Sequence, residues 1–208
     1  MSAHRFATLV AFLAASCFGA SREVVVYLSG DAQPASLEAM KSEAGALLQS
    51  AGYHLAWNNL RDARGASVNA SVIVLEMRGK CQPPNLAIPA RDQSASLAST
   101  AMIDGKLLPF VTLECDALSR LIASALAKTG GDMDFLYGRA MARLAAHELN
   151  HILGNTREHV SGGVAKSSFS AQDVLADRFE FAPVTLTKLR ESISSGEAID
   201  DTAQTIRR

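Results

Sequence analysis

Residues Asp134 to Leu153 read DFLYGRAMARLAAHELNHIL. Helix-forming Ala, Leu, Met and Arg dominate the stretch, Asp132 or Asp134 is placed to cap it, and Gly154 follows its last periodic residue. The pattern predicts one long helix, and that helix carries His147-Glu148-Leu149-Asn150-His151, an H-E-x-x-H. Histidines four apart project from one helix face about one turn apart. Such a pair can grip a single Zn²⁺ at about 2.0–2.1 Å per bond. Glu148 falls on the adjoining flank, near a metal held there but not bound to it, where a carboxylate can take a proton from an activated water. No other stretch constrains the fold as strongly, because the histidine face has to be held open to a further ligand.

His147 to Gly154 reads HELNHILG, which resembles the HExxHxxG opening of the metzincin branch of the zincins, the zinc-dependent metallopeptidases. It is also similar to an uncharacterised group of secreted bacterial proteins with a like helix and following loop. The resemblance covers the long helix and its exit and, more loosely, the order of strands, helix and strands before it. It implies His147 and His151 as zinc ligands, Glu148 as general base and Gly154 as the point where the chain turns back to the metal. It further implies Zn²⁺ as cofactor and a peptide or protein as substrate. The metzincin pattern puts its third ligand three residues after that glycine, where this chain has Arg157, a permanent cation. No Met follows Met141, so the methionine-containing turn of metzincins has no counterpart.

Third-ligand candidates therefore come from elsewhere. His159 ranks first, since Gly154 and Asn155 permit a sharp reversal beneath the helix and a catalytic zinc usually has three protein ligands and an open place. Asp173 and Asp177, four apart on the next expected helix, offer a carboxylate instead, although Asp173 also suits a helix N-terminus. Glu158 comes last. Arg139 and Arg143, at four-residue spacing before His147, read as solvated charges, Tyr137 as a packing residue and His54 as structural.

The rest of the chain predicts an α+β domain with a mixed twisted sheet, a zincin-like architecture with a small C-terminal helical part. Strands are expected at 23–28, 53–57, 71–77, 97–103 and 107–115, the last two paired around Asp104-Gly105. Helices are expected at 36–51 with Ser36 as cap, at 116–128 with Asp116 as cap, at 170–181 behind a Ser170/Asp173 capping box, and at 185–194. A β-α-β opening favours a parallel crossover. By analogy with zincins, the 107–115 strand is expected to edge the cleft and hold substrate by strand addition.

The first 20 residues have the layout of a secretory signal peptide: His4 and Arg5, the apolar run Phe6 to Ala15, then small residues. Residues 21–195 are then the metallopeptidase domain and 196–208 a frayed tail. Lipidation at Cys17 is a minor alternative, and no second apolar run is long enough to span a bilayer. The destination is the periplasm or the medium. Export leaves Cys81 and Cys115 as a natural disulfide pair. A formal net charge of −1 gives no bulk attraction for nucleic acid. The expected function is an exported zinc metalloendopeptidase, against two alternatives: a non-catalytic zinc-binding domain and a metal-free interaction domain.

Overall fold

The computed structural model describes residues 21–63, 71–84 and 96–195. The expected signal peptide, the expected tail and half of the proline-containing stretch before residue 96 lie outside the described residues. Strand β1 (Arg22–Ser29) buries Val24, Val26 and Leu28, the period-2 alternation of a strand with one covered face. Helix α1 (Pro34–Ser50) leads to β2 (Tyr53–Asn59), and after a short 3₁₀ turn (Leu60–Asp62) the chain enters β3 (Ser71–Arg78). The hairpin β4 (Ala98–Ile103) and β5 (Lys106–Glu114) turns through Asp104 and Gly105, both at positive φ (50° and 78°), as a two-residue hairpin loop requires. Helices α2 (Cys115–Thr129), α3 (Met133–Leu153), α4 (Ala171–Leu175) and α5 (Pro183–Ser195) follow.

The five strands form one mixed sheet in the order β2-β1-β3-β5-β4. β1, β2, β3 and β5 run parallel, and β4 is antiparallel on the edge beside β5. The mixed α/β sheet agrees with the expected architecture. The edge assignment does not: β5 is internal, paired on both sides, and the edge strands are β2 and, beside β5, β4. The inward residues of β1, β3 and β5 join one core with Met40, Ala44 and Leu48 of α1 and Tyr137, Met141 and Leu144 of α3.

Helix starts differ from expectation where tertiary contacts take over the capping residues. α1 begins at Pro34, whose missing N–H costs nothing in a first turn. Ser36, expected as the cap, is buried inside the helix and donates to Asp134 Oδ1 at 2.7 Å, tying the start of α1 to that of α3. A Cβ on Gly138 would collide with the Ser36 carbonyl and Ala39, so glycine is what lets α3 lie this close to α1. Asp116 does not cap α2; it sits in the first turn and accepts the Lys80 N–H at 3.0 Å. Asp132 does cap α3, accepting from Asp134 and Phe135 N–H. The expected 170–181 helix is only one turn long. Its capping box forms, but the carbonyls of Asp173, Val174 and Leu175 are taken by Arg143 and Arg139. Cys81 and Cys115 are disulfide-bonded, joining the exit of β3 to the start of α2.

Candidate metal centre

α3 is buried along nearly its whole circumference from Leu136 to Leu153. That is unusual for a helix carrying six polar or charged side chains there, and each of those needs a partner. Arg139, Arg143, His147 and His151, spaced every four residues, form one stripe. The 156–175 segment runs antiparallel along it and offers a backbone carbonyl at every step. Thr156 O lies 2.7 Å from His151 Nδ1 and Val164 O lies 2.8 Å from His147 Nδ1. Asp173 and Val174 carbonyls accept from Arg143, and the Leu175 carbonyl accepts from Arg139. Both arginines are thus buried, at 7% and 1% exposure, rather than solvated. Arg143 also pairs with Glu43 at 3.1 Å, while Arg139 faces the exposed Asp177.

These carbonyls decide the chemistry of the two histidines. A carbonyl only accepts, so each Nδ1 carries its proton and donates. In the neutral ring, each Nε2 is then a lone pair. The two Nε2 atoms face each other at 3.0 Å. Two acceptors at that distance repel unless a cation lies between them. Burial, with added pressure from His151 and His159, outweighs the pull of the Val164 carbonyl and lowers the His147 pKa to about 4. A proton is therefore a poor candidate for that cation at neutral pH. A metal ion is a good one, since two nitrogens bound tetrahedrally to one zinc sit about 3.3 Å apart.

His159 completes the group. Gly154 keeps an ordinary φ of −89°, and the reversal is made at Asn155, at φ 42°. Thr156 N–H closes the turn onto His151 O at 3.0 Å. The exposed His159 ring stacks on His147, with centroids 5.2 Å apart, and meets His151 edge-on at 5.0 Å. Ligand nitrogens of the three residues all lie within 4.8 Å of one another. Burial, then the neighbouring His151, lowers the His159 pKa, so this ring is also biased toward the neutral form that binds metal. Beyond the reversal, Val160 N–H bonds Ala165 O, so Ser161 to Gly163 serve to turn the chain back.

The carboxylate alternatives are not brought to this group. Asp173 is held by the Ser170 amide and hydroxyl and by Lys166 at 2.8 Å. Asp177 is fully exposed beside Arg139, and Glu158 pairs with Lys188 on the surface. Tyr137 packs as expected, fully buried. His54 is exposed on β2, away from any structural role in the core.

Glu148 is buried and points toward the sheet edge. Its Oε2 accepts the Thr100 hydroxyl of β4 at 2.7 Å. Burial raises its pKa, opposed by Thr100 and by His151. A cavity of about 240 Å³ opens beside it, lined by Ser96 to Ala98 at the entry of β4, by Leu144, His147 and Glu148, and by Ser167 to Phe169. Phe169 meets the His147 ring edge-on at 5.1 Å. Sequence reasoning passed over Thr100 and Phe169. Neither carries a signal along the chain, since Thr100 lies 48 residues from its partner.

No protein-family model matches the chain, and no curated protein does. Among solved structures, the crystal structure of archaemetzincin from Methanopyrus kandleri is similar, with 12% identity, a TM-score of 0.45, and cover of 85% of this chain and 98% of that one.

Proposed function

We infer that the chain is an exported zinc-dependent metallopeptidase that cleaves internal peptide bonds, with His147, His151 and His159 as metal ligands and Glu148 as the proton carrier. The observation that carries this reading is the pair of opposed Nε2 lone pairs at 3.0 Å, fixed by two carbonyls, with a third imidazole beside them. Three imidazoles and no carboxylate suit zinc. Bound there, the ion would polarise a scissile carbonyl and acidify a water. The carbonyls of Val164 and Thr156 hold the two helix histidines in the ligating tautomer. Glu148 sits one residue from His147 and faces the cavity, where its carboxylate accepts a proton from water and returns it to the leaving amine. Burial places its pKa above the ordinary carboxylate value, which suits a group that must both take and give a proton.

β4, whose first residue Ala98 lines the same cavity, offers a free strand edge, and an extended peptide is the ligand such an edge accepts. Export is supported by the Cys81–Cys115 disulfide, and no helix among the described residues is long and apolar enough to cross a membrane. The test is metal analysis of the purified protein, with hydrolysis of fluorescently labelled casein by wild type and Glu148→Gln. The expected result is about one zinc per chain in both and turnover only in wild type. Zinc without turnover in wild type would make this a non-catalytic zinc domain. Absence of bound metal after zinc loading would end the metal reading altogether.

A further inference from the structure

The geometry points to Thr100 as a positioning residue for Glu148: its hydroxyl selects which carboxylate oxygen faces the cavity. This rests on the reading of Glu148 as the proton carrier. A glutamate has three side-chain torsions, and next to a cavity of about 240 Å³ it has room to use them. What restrains it here is one residue, Thr100, which offers the carboxylate both its hydroxyl and its backbone amide. Thr100 has one hydroxyl proton, and its nearest acceptor is Glu148 Oε2 at 2.7 Å, with the Glu148 carbonyl farther away at 3.3 Å. This is the only side-chain hydrogen bond to that carboxylate among the described residues. One oxygen is therefore committed to the strand, and Oε1 remains to meet a water in the cavity.

The strand is shaped to deliver that donor. β4 pairs regularly with β5 from Ala98↔Leu113 to Thr100↔Val111, and the register breaks immediately afterwards. The next pair is Met102↔Leu107, with Pro109 of β5 inside the irregularity. Proline has no N–H to give to a ladder, so regular pairing ends there. Irregularities of this kind re-aim side chains at the ends of regular pairing. Thr100 is the last regularly paired residue, half-buried and turned toward α3. The edge strand thus has two separable roles: its backbone offers a peptide a free edge, and its Thr100 side chain orients the base.

Two variants separate orientation from general damage. Thr100→Val keeps the shape and the β-branched preference for a strand but removes the donor, and Thr100→Ser keeps the donor. Zinc content, kcat and KM on labelled casein, and crystal structures of both variants and wild type are compared. Thr100→Val is expected to keep its zinc, its thermal midpoint to within a few degrees and its KM. It should lose about tenfold to a hundredfold in kcat, with the Glu148 carboxylate turned from its wild-type rotamer. Thr100→Ser is expected to restore both. An unchanged kcat in Thr100→Val, a loss confined to KM, or a Glu148 rotamer identical to wild type would each overturn the assignment. If wild type itself cleaves no casein, the peptidase reading fails on that result. The crystallographic comparison still decides whether Thr100 holds the carboxylate.

Discussion

A histidine serves a metal only as the neutral imidazole, and the three histidines here differ in how that form is secured. His147 is buried and His159 exposed, so they should respond differently to substitution. His159→Ala leaves two imidazoles, and zinc affinity is expected to fall by orders of magnitude. Asp173→Asn and Asp177→Asn are expected to keep the metal, because those carboxylates serve a helix cap and the surface. Zinc stoichiometry of the three variants after dialysis checks this, and full retention by His159→Ala would remove it from the ligand set. The buried ring also makes a prediction about pH. In the metal-free chain the folded pKa of His147 is about 4, against an ordinary 6.5. The unfolded state then binds the proton more readily. The stability owed to a neutral His147 is fully present above about pH 6.5 and is lost as pH falls toward 4. Glu148, whose pKa is raised, acts in the opposite sense, so the measurement belongs in a Glu148→Gln background. Melting of that chelated variant is expected to drop between pH 7 and 4.5, and less so with His147→Gln added. The HExxH spacing made His147, His151 and Glu148 legible in the sequence. The carbonyls that fix the tautomers were not, since any residue supplies a carbonyl and only the path of the chain chooses which.

At the scale of elements, α3 and the 156–175 segment are one unit. Arg139 and Arg143 carry the four-residue rhythm of the histidines, and that rhythm was visible in the sequence. Their burial was not, because an arginine stripe and a solvated stripe have the same periodicity. Arg143 is 1% exposed and joins Glu43 of α1 to the carbonyls of Asp173 and Val174. Arg143→Ala leaves those groups with a lost partner, and a cost of about 3–5 kcal/mol is expected from urea unfolding. The same variant should weaken zinc binding, because the segment it releases also supplies the Val164 carbonyl to His147. Unchanged zinc affinity in a destabilised Arg143→Ala would show that the two halves of the stripe act independently. The shortened α4 has the same origin: the capping box starts it, and the arginines take its carbonyls before a second turn forms.

For the whole molecule, the disulfide links the exit of β3 to the start of α2 across 34 residues. Removing it with a Cys81→Ser, Cys115→Ser pair is expected to cost about 2–4 kcal/mol in denaturant unfolding while leaving zinc stoichiometry unchanged. Loss of metal in a folded double variant would contradict a purely stabilising bridge. The proposal of export carries its own check: exported protein should begin between Cys17 and Arg22, and N-terminal sequencing that returned Met1 or Ser2 would exclude cleavage.

Period and spacing are local properties, and what depended on them could be read along the chain. The strands, the long helix with its Asp132 cap, the positive-φ hairpin turn and the His–Glu–His face all rest on residues within a turn or two of one another. Strand order, the free edge at β4, the buried arginines and the Thr100–Glu148 contact depend on which surfaces meet once the core closes. Those contacts join residues 30 to 100 positions apart. Hydrophobic pattern states that a strand has an inner face, but not which neighbour it takes. That choice followed from burying the inner residues of the sheet against α1 and α3, and it put β4, rather than β5, on the sheet edge, with its Thr100 hydroxyl on Glu148.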